Sequence, residues 1–475
     1  MLPDICAYKK LNPLITEAGY ALLKRLHEHP DAPRWNQGVG DHLLQEDLAA
    51  LKAFRRRLED WRGDSRPADS DRPPVEMLEW VQNMRARSAI FGEQIAQGFL
   101  LARDWAHLPT MSRRDIAQRL VDITPLDAAL DRLIVYDTTG TTGHSLNVPH
   151  HPRTLALNQA LAEHALAQYG IWPEFGPERV ACLNIGAQLN TYVFAAIFSA
   201  WNQAGFAKLN LHPKDWSDAA CGDFDQAKAR AQRYFEAFRP EFITADPVGI
   251  AEMLRWEVGA GTKAIFSTAV QLSAGLKARA EARFGCPVID WYSMTETGPI
   301  AFSAPDGDGL QIVGPDIWVE ALDEDGFPVA PDAMGELTVT GGRNPYLPLL
   351  RYRTGDFGRV EGGRIRDLHA RKMVFFRAAD GSLVNPVDIG RIMRLHGVFA
   401  QHQFVQEADG RCFVRVRPVP GVPVDRAGLA RELATLFGEA AAIDVQIDEQ
   451  LGDGQPGGKV MPYIQRGDDE GRDFS

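Results

Sequence analysis

Three short segments, far apart along the 475 residues of the chain, carry residue types suited to binding a nucleoside triphosphate. In the first, Thr-Thr-Gly-Thr-Thr-Gly precedes His144. Glycine allows a backbone to approach a phosphate closely, and threonine hydroxyls can donate hydrogen bonds to phosphate oxygens. The lysine-containing pattern of a P-loop is absent, and a threonine–glycine tract alone is more often a plain turn. The candidate phosphate contacts are Thr138, Thr139, Gly140, Thr141, Thr142 and Gly143.

The second segment, Trp-Tyr-Ser-Met-Thr-Glu-Thr-Gly, begins at Trp291. A strand that ends in an aromatic residue and turns into Thr-Glu could form a compact nucleotide site. The ring of Tyr292 can stack on a base, and Thr295 can hydrogen-bond a phosphate. Glu296 can bind Mg²⁺, a cation that prefers oxygen ligands. Taken alone, however, an exposed turn with an acidic residue is the better interpretation.

The third segment, Arg-Tyr-Arg-Thr-Gly-Asp, runs from Arg351 to Asp356. An aspartate that follows Thr-Gly at the end of a strand can accept hydrogen bonds from both hydroxyls of a ribose. The arginines, Arg351 and Arg353, could hold phosphate. A surface ion pair is the alternative for this segment alone. Because the three segments occur in this order, we interpret them as one ATP site that activates a carboxylic acid as its acyl-adenylate.

Together, the three segments resemble the core motifs of the adenylate-forming superfamily, which contains acyl-CoA synthetases, peptide-synthetase adenylation domains and luciferases. Two further segments resemble the phenylacetate-CoA ligase branch. Leu108–Ile116 fits its Leu-Pro-x-x-x-[Lys/Arg]-x-Asp pattern. Arg239–Pro247 fits the segment in which a strand leads into a helix, before the aromatic residue of the nucleotide site. The resemblance spans about Leu108 to Pro386 and extends loosely to the C-terminus.

The resemblance implies a role for each matching position. The threonine–glycine loop would hold the β- and γ-phosphates of ATP, and Lys459 would bridge the acyl carboxylate and the α-phosphate. Thr295 would contact the α-phosphate, and Glu296 would ligate Mg²⁺. The remaining contacts to adenine and ribose would come from Ser267, Thr268, Ala269, Tyr292, Ser293, Asp356 and Arg371.

Several positions depart from the family pattern. His144 stands where the family has lysine, and Ser293 stands where it has glycine. A histidine beside a triphosphate can protonate, because nearby negative charge favours the cationic form; a simple cap on the loop is the alternative. At the hinge, Lys372 and Met373 replace two acidic residues. The resemblance therefore supports the first half-reaction more fully than the second.

The resemblance leaves three functions open. In the first, the acyl group passes from acyl-AMP to a thiol, with coenzyme A as the expected acceptor. In the second, which the altered hinge motivates, a carrier-protein thiol or an amine takes it. In the third, the chain is a degenerate member that binds nucleotide without turnover, although the retained Glu296, Asp356, Arg371 and Lys459 argue against this. A homodimer is usual for this branch.

The composition excludes several other classes. A net charge of -12 and a pI of about 5.5 argue against a protein that coats nucleic acid or anionic membrane. The five cysteines are odd in number and none are spaced as CxxC, so we expect reduced thiols rather than a disulfide framework or structural zinc. No signal-peptide pattern and no apolar run of the ~20 residues needed to span a bilayer are visible. We therefore expect a cytoplasmic protein.

The pattern of apolar residues predicts an α/β fold in two domains. Residues 1–366 would form a large AMP-binding domain, with residues 1–125 mainly helical and a small antiparallel β portion at its end. Residues 367–475 would form a smaller, mobile α+β domain. The pattern predicts an apolar helix over Tyr192–Trp201, and the resemblance implies that this region lines the acid pocket; a stripe of core residues is the alternative. Its aromatic side chains would suit an aryl acid, whereas His150 and His151 would lie in a surface turn; the pocket residues are Tyr192, Phe194 and Phe198.

Overall fold

The computed structural model describes most of the chain. The described ranges are 2–61, 72–138, 146–186, 191–211, 215–216, 224–256, 261–369, 376–379, 383–384, 386–438, 441–453 and 460–466.

The first helices lie within residues 1–125, and further helices alternate with strands after them. The α-helices are α1 (Ile5–Tyr8), α2 (Glu17–Glu28), α3 (Gln45–Asp60), α4 (Val75–Arg87), α5 (Ala89–Gln94), α6 (Leu101–Asp104), α7 (Arg113–Ile123), α8 (Pro152–Gln168), α9 (Phe224–Phe238), α10 (Pro247–Met253), α11 (Ala274–Phe284), α12 (Pro386–His396) and α13 (Arg426–Phe437).

The strands begin just before the threonine–glycine tract. They are β1 (Ile134–Thr138), β2 (Leu146–His150), β3 (Val180–Gly186), β4 (Phe194–Phe198), β5 (Ala204–Asn210), β6 (Phe242–Ala245), β7 (Ile265–Ser267), β8 (Val288–Met294), β9 (Gly298–Ser303), β10 (Leu310–Ile312), β11 (Ile317–Leu322), β12 (Gly335–Gly341), β13 (Leu349–Glu361), β14 (Arg364–His369), β15 (Phe376–Arg377), β16 (Leu383–Val384), β17 (Phe399–Gln406), β18 (Cys412–Pro418), β19 (Ile443–Ile447) and β20 (Tyr463–Gln465).

Strands β3 to β14 form one sheet in the order β11-β12-β13-β14-β10-β9-β8-β7-β6-β3-β5-β4. From β5 to β8 the neighbours pair in parallel. From β8 onward they pair antiparallel, so the β portion expected after residue 314 continues the same sheet. Strand β8 is therefore the junction between the two halves.

Helices cover both faces of the parallel half, which gives the layered α/β architecture predicted from the sequence. On one face, apolar residues of α2, α10 and α11 pack against the strands in one core cluster. On the other face, α3 and α8 do so in a second cluster. Both layers bury the apolar stripes of amphipathic helices, which is the main driving force for this packing. The predicted fold class is confirmed.

Strands β17 to β20 form a second, smaller sheet in the order β19-β18-β17-β20. Apolar residues of α12 and α13 pack on it and form a core cluster of their own. The division of the chain after residue 366 stays a prediction, and β14 runs across it. In the ranges given above, no helix combines the length and apolarity needed to cross a bilayer.

The predicted helix over Tyr192–Trp201 is wrong. Residues Phe194–Phe198 form strand β4, and Ser199–Trp201 form a single 3-10 turn. Strand β4 pairs antiparallel with β5 at the edge of the sheet. A short, continuous apolar run cannot be assigned to helix or strand by periodicity alone, and here pairing with β5 satisfies the backbone instead of helical hydrogen bonds.

Candidate active site

The carboxyl ends of β6, β7 and β8 lie side by side, because these strands are parallel neighbours in the sheet. Ser267 ends β7, and its hydroxyl is fully buried without a hydrogen-bond partner in the described part of the chain. The backbone of Thr268 then donates to the Ala245 carbonyl at 2.9 Å. Ala269 adopts a φ of 74°, which is rare for a residue with a side chain. The predicted adenine segment is thus a tight turn at the edge where α/β sheets bind ligands.

A bulge in the long strand β13 projects Asp356. Between the pairs Thr338↔Arg353 and Glu336↔Phe357, β13 contains two more residues than β12. Gly355 has a φ of 78°, which glycine tolerates and most residues avoid. The hydroxyl of Thr354 donates to the Leu337 carbonyl at 2.8 Å and accepts from the Asp356 backbone at 3.1 Å. The Thr-Gly-Asp sequence therefore encodes the bulge rather than the strand end we expected.

The bulge brings Asp356 against the end of β8. The hydroxyl of Tyr292 donates to Asp356 Oδ2 at 2.7 Å. Burial raises the pKa of Tyr292 well above its usual value, and the Asp356 carboxylate raises it further, so the phenol stays protonated. Two residues assigned to the same nucleotide from separate motifs therefore meet in the fold. Ser293, which follows Tyr292, is exposed.

Glu296 is a second residue at which side chains from distant segments meet. Only 4% of the residue is exposed, and Arg113 Nη1 lies 3.0 Å from its Oε1. The hydroxyl of Tyr352 donates to the same oxygen at 3.3 Å. Half-buried Thr295 precedes it. A buried carboxylate with one charged partner fits the chemistry of a magnesium ligand, since a hard cation requires oxygen donors.

The turn after Glu296 requires glycine. Gly298 has a φ of 71°, and a Cβ there would lie 2.9 Å from Asn158 Oδ1 on α8. Such a contact is too close for most side chains, and the backbone conformation is unfavourable for them. The Thr-Glu-Thr-Gly sequence thus holds Glu296 at the foot of a tight connection from β8 to β9.

Sequence reasoning noted Arg113 only as a motif position and missed its contact with Glu296. The backbone of Met111 bonds to β13 from both sides, because its NH donates to the Arg351 carbonyl at 3.2 Å and its carbonyl accepts from Arg353 NH at 2.8 Å. Helix α7 then begins at Ser112, whose hydroxyl caps the helix while Asp115 completes a capping box. The residues of the Leu-Pro-x-x-x-Arg-x-Asp pattern therefore position Arg113 in the first turn of α7.

The phosphate role considered for Arg351 and Arg353 is wrong, because both arginines hold the protein scaffold. Arg351 is fully buried, pairs with Glu320 at 3.4 Å, and donates to the carbonyls of Leu108 and Gly326. Arg353 pairs with Glu336 and donates to Thr110 Oγ1 at 3.0 Å. Their guanidinium donors are thus directed at protein groups.

The surface turn expected for His150 is also wrong. His150 ends β2, is 4% exposed, and lies edge-on to the ring of Tyr136 with centroids 5.3 Å apart. Its imidazole lies close to the backbone of Thr295, yet neither ring nitrogen has a hydrogen-bond partner of normal geometry among the described residues. Burial lowers its pKa to about 4, so the ring is neutral near pH 7. Hairpin β1–β2, which leads into and out of the threonine–glycine tract, thus packs beside the second motif.

Of the three predicted pocket residues, Phe194 and Phe198 are half-buried on β4. Their rings lie 5.8 Å and 5.0 Å from that of Phe206 on β5, measured between centroids. Tyr192 precedes β4 and is 64% exposed. The two phenylalanines therefore share an aromatic surface that does not include Tyr192.

The remaining predicted site residues lie outside the described ranges. Thr138 is the last residue of β1, at the border of residues 139–145. The predictions that lie outside the described residues concern Thr139, Gly140, Thr141, Thr142, Gly143, His144, Arg371, Lys372, Met373 and Lys459. No group of three potential metal-binding His, Cys, Asp or Glu residues occurs in the described part of the chain. The four cysteines within it, Cys6, Cys182, Cys286 and Cys412, are free thiols.

Known structures share this fold. The structure of 2-hydroxyisobutyryl-CoA ligase in the postadenylation state with 2-HIB-AMP aligns with a TM-score of 0.59 at 15% identity, covering 84% of this chain and 93% of that one. The same ligase with R3-HIB-AMP aligns with a TM-score of 0.58, at the same identity and coverage. An anthranilate CoA ligase bound to anthranoyl-AMP aligns with a TM-score of 0.49 at 14% identity, covering 70% of this chain and 66% of that one. No protein-family model and no curated protein sequence matches the chain. The chain therefore shares the fold of 2-hydroxyisobutyryl-CoA ligase.

Proposed function

We propose that this chain, with its adenylate-forming fold, is an ATP-dependent ligase that activates a carboxylic acid as acyl-AMP and passes the acyl group to a thiol. The observation that supports the proposal most strongly is the contact between Tyr292 and Asp356. One residue was assigned to adenine and the other to ribose, and a single nucleoside that contacts both would require the two side chains to be neighbours.

The nucleotide would bind across the end of β8. Its adenine would stack on the Tyr292 ring beside the Ser267–Ala269 turn, and its ribose would bind to Asp356. For this, a ribose hydroxyl has to replace the Tyr292 hydroxyl as a donor to the carboxylate. The α-phosphate would then lie by Thr295, and the β- and γ-phosphates by the threonine–glycine tract.

In the first step, an oxygen of the substrate carboxylate attacks the α-phosphorus of ATP. The new bond is O–P, the bond between the α-phosphorus and the bridging oxygen breaks, and pyrophosphate leaves. Lys459 would neutralise charge on the carboxylate and α-phosphate as they approach, a role that lowers the barrier through electrostatics and orientation. Bound at Glu296, Mg²⁺ would supply charge neutralisation on the phosphates.

In the second step, a thiol attacks the acyl carbonyl and AMP leaves. We propose coenzyme A as the acceptor and the phenylacetate-CoA ligase type as the branch, because Leu108–Ile116 matches its pattern and because its capping box positions Arg113 at the site. The departures at Lys372 and Met373 favour a second candidate, in which a carrier-protein thiol or an amine is the acceptor. A homodimer is the assembly we propose.

The test is acid-dependent exchange of labelled pyrophosphate into ATP across a broad panel of carboxylic acids. We expect exchange only with the cognate acid. Product mass with coenzyme A, a carrier protein or an amine then identifies the acceptor. Absence of exchange with every acid, despite measurable ATP binding, would support a nucleotide-binding protein without turnover.

A Lys459→Ala variant separates the same alternatives. An adenylating enzyme should lose orders of magnitude in exchange rate while its affinity for ATP changes little, because the lysine acts on the transition state. An unchanged exchange rate would remove Lys459 from the proposed chemistry.

A further inference from the structure

One face of the parallel half of the sheet carries a row of half-buried side chains that the nucleotide site does not use. The strand register places Lys208 of β5 between Phe194 of β4 and Asn184 of β3. Asn184 in turn pairs with Thr244 of β6 and donates to its hydroxyl at 2.8 Å. Because register partners project from the same face of a sheet, these four side chains form one row across four strands.

The row continues to the strand that carries the proposed adenine contact. Thr244 pairs with Phe266 of β7, and Phe266 lies beside β8 at a position two residues before Trp291. The rings of Phe266 and Trp291 have centroids 5.0 Å apart. Since successive side chains of a strand point to opposite faces, Trp291 shares the face of the row and Tyr292 lies on the other. A single face therefore leads from the neighbour of Tyr292 to Lys208.

The row also lies near the edge where a substrate would enter. Asn184, Lys208 and Thr244 are each one or two residues before the carboxyl end of their strands. Ligands of open α/β sheets bind in the crevice outside those ends. The polar groups of the row thus border the same crevice as the nucleotide site.

Lys208 is the unusual member of the row. It is half-buried, and its ammonium forms neither an ion pair within 4.0 Å nor a hydrogen bond with the described residues. Asp246 is the charge that acts on it, and that carboxylate also accepts the Gly249 NH at 2.6 Å as the cap of α10. Burial lowers the pKa of Lys208, and Asp246 partly opposes this. A cation removed from water without a direct partner is unfavourable, and an anionic group of a ligand would relieve that cost.

We propose that Lys208 forms the far end of the acid pocket and selects an acid with a second carboxylate at its distal end. This inference rests on the proposed function. Four strand spacings separate β8 from β5, about 19 Å at ~4.8 Å per strand. Allowing for the reach of a lysine side chain, the two carboxylates would lie roughly 10–15 Å apart.

The experiment compares dodecanedioic acid with dodecanoic acid in the pyrophosphate-exchange assay, using the full chain. We expect the wild type to prefer the diacid by at least tenfold in kcat/KM. Lys208→Met should lose at least tenfold with the diacid, mainly through KM, because a remote contact contributes binding in both ground and transition states. The same variant should gain activity with the monoacid. Lys208→Arg should retain the preference for the diacid.

Lys24→Met is the matched control, because Lys24 is exposed and its ion pair among the described residues is with Glu28 on its own helix. It should behave as the wild type. Thermal midpoints of all variants show whether Lys208→Met is folded, and if it is not, the preference of the wild type between the two acids decides the outcome.

The outcomes separate this inference from the proposed function. Exchange that is equal for both acids, or that favours the monoacid in the wild type, overturns the role of Lys208 and leaves the ligase proposal intact. Exchange that occurs only with short aromatic acids likewise overturns the role of Lys208 and leaves the ligase proposal intact. Absence of exchange with every acid of a broad panel rejects both proposals.

Discussion

The guanidinium of Arg113 lies 3.0 Å from the carboxylate of Glu296, although 183 positions separate the two residues. Arg113 is more than one third exposed, whereas the Glu296 side chain is 3% exposed. The ion pair therefore bridges the solvent-facing start of α7 and the interior of the candidate site. Magnesium bound at Glu296 would have to share the carboxylate with this arginine or displace it.

We expect Glu296→Gln to lower the adenylation rate about 100-fold or more, because the amide keeps the shape of the side chain but removes the charge that would hold the metal. The magnesium concentration for half-maximal rate should rise. Pyrophosphate exchange at several magnesium concentrations measures both. Glu174→Gln serves as the control, since the Glu174 side chain is exposed and forms its ion pair with the partly exposed Arg179. An unaltered magnesium dependence in Glu296→Gln would contradict the assignment.

The contact between Tyr292 and Asp356 predicts opposite results for two variants. Asp356→Asn should raise the Kd for ATP by at least tenfold, because hydrogen bonds from the ribose to a charged acceptor stabilise binding by about 1.5–3 kcal/mol. Tyr292→Phe keeps the ring for stacking and frees the carboxylate, so its Kd should stay within about threefold of the wild type. Calorimetric titration with ATP measures both values. Equal losses in the two variants would indicate that the phenol itself contacts the nucleotide.

Arg351 should matter for stability and not for nucleotide binding. Arg351→Met leaves Glu320 buried without its ion-pair partner, which typically costs about 3–5 kcal/mol. Denaturant unfolding should show this loss, and the double variant Arg351→Met/Glu320→Gln should recover part of it. The folded fraction should bind ATP with the wild-type Kd. A large rise in Kd with little change in stability would restore the phosphate role that the structure rejects.

His150 predicts a pH dependence of stability. Its pKa in the folded protein is about 4, compared with an ordinary value of 6.5. Between these values the unfolded chain binds the proton and the folded chain does not, so the free energy of unfolding falls as the pH drops from 6.5 towards 4. The loss from this residue would be up to about 3 kcal/mol.

The measurement is urea unfolding of wild type and His150→Gln at several pH values between 4 and 7. The glutamine variant should lose less stability on acidification, because it has no proton to bind in the unfolded state. Parallel stability curves for the two proteins would exclude His150 as a source of the acid sensitivity.

The sequence predicted the strands and helices that carry the site well. The expected α/β fold class is confirmed, because short apolar runs that alternate with helical stretches are a strong signal for layered sheets and helices. The edge strand β4 was misassigned, because a continuous apolar run has no periodicity that distinguishes a strand from a helix. The bulge at Asp356 and the ion pair of Arg113 depend on contacts between distant segments, which no local pattern encodes. The burial of His150 was missed for the same reason, because the groups around it, the Tyr136 ring and the Thr295 backbone, come from distant parts of the sequence.

Strand β8 places Trp291 on one face of the sheet and Tyr292 on the other. If the acid and the nucleotide are bound as proposed, a single pair of adjacent residues separates the two reactants. Insertion or deletion of one residue in β8 would turn both side chains around at once. A change of length in β8 that altered binding of one substrate would therefore also alter binding of the other. We expect this strand to tolerate changes of side chain far better than changes of length.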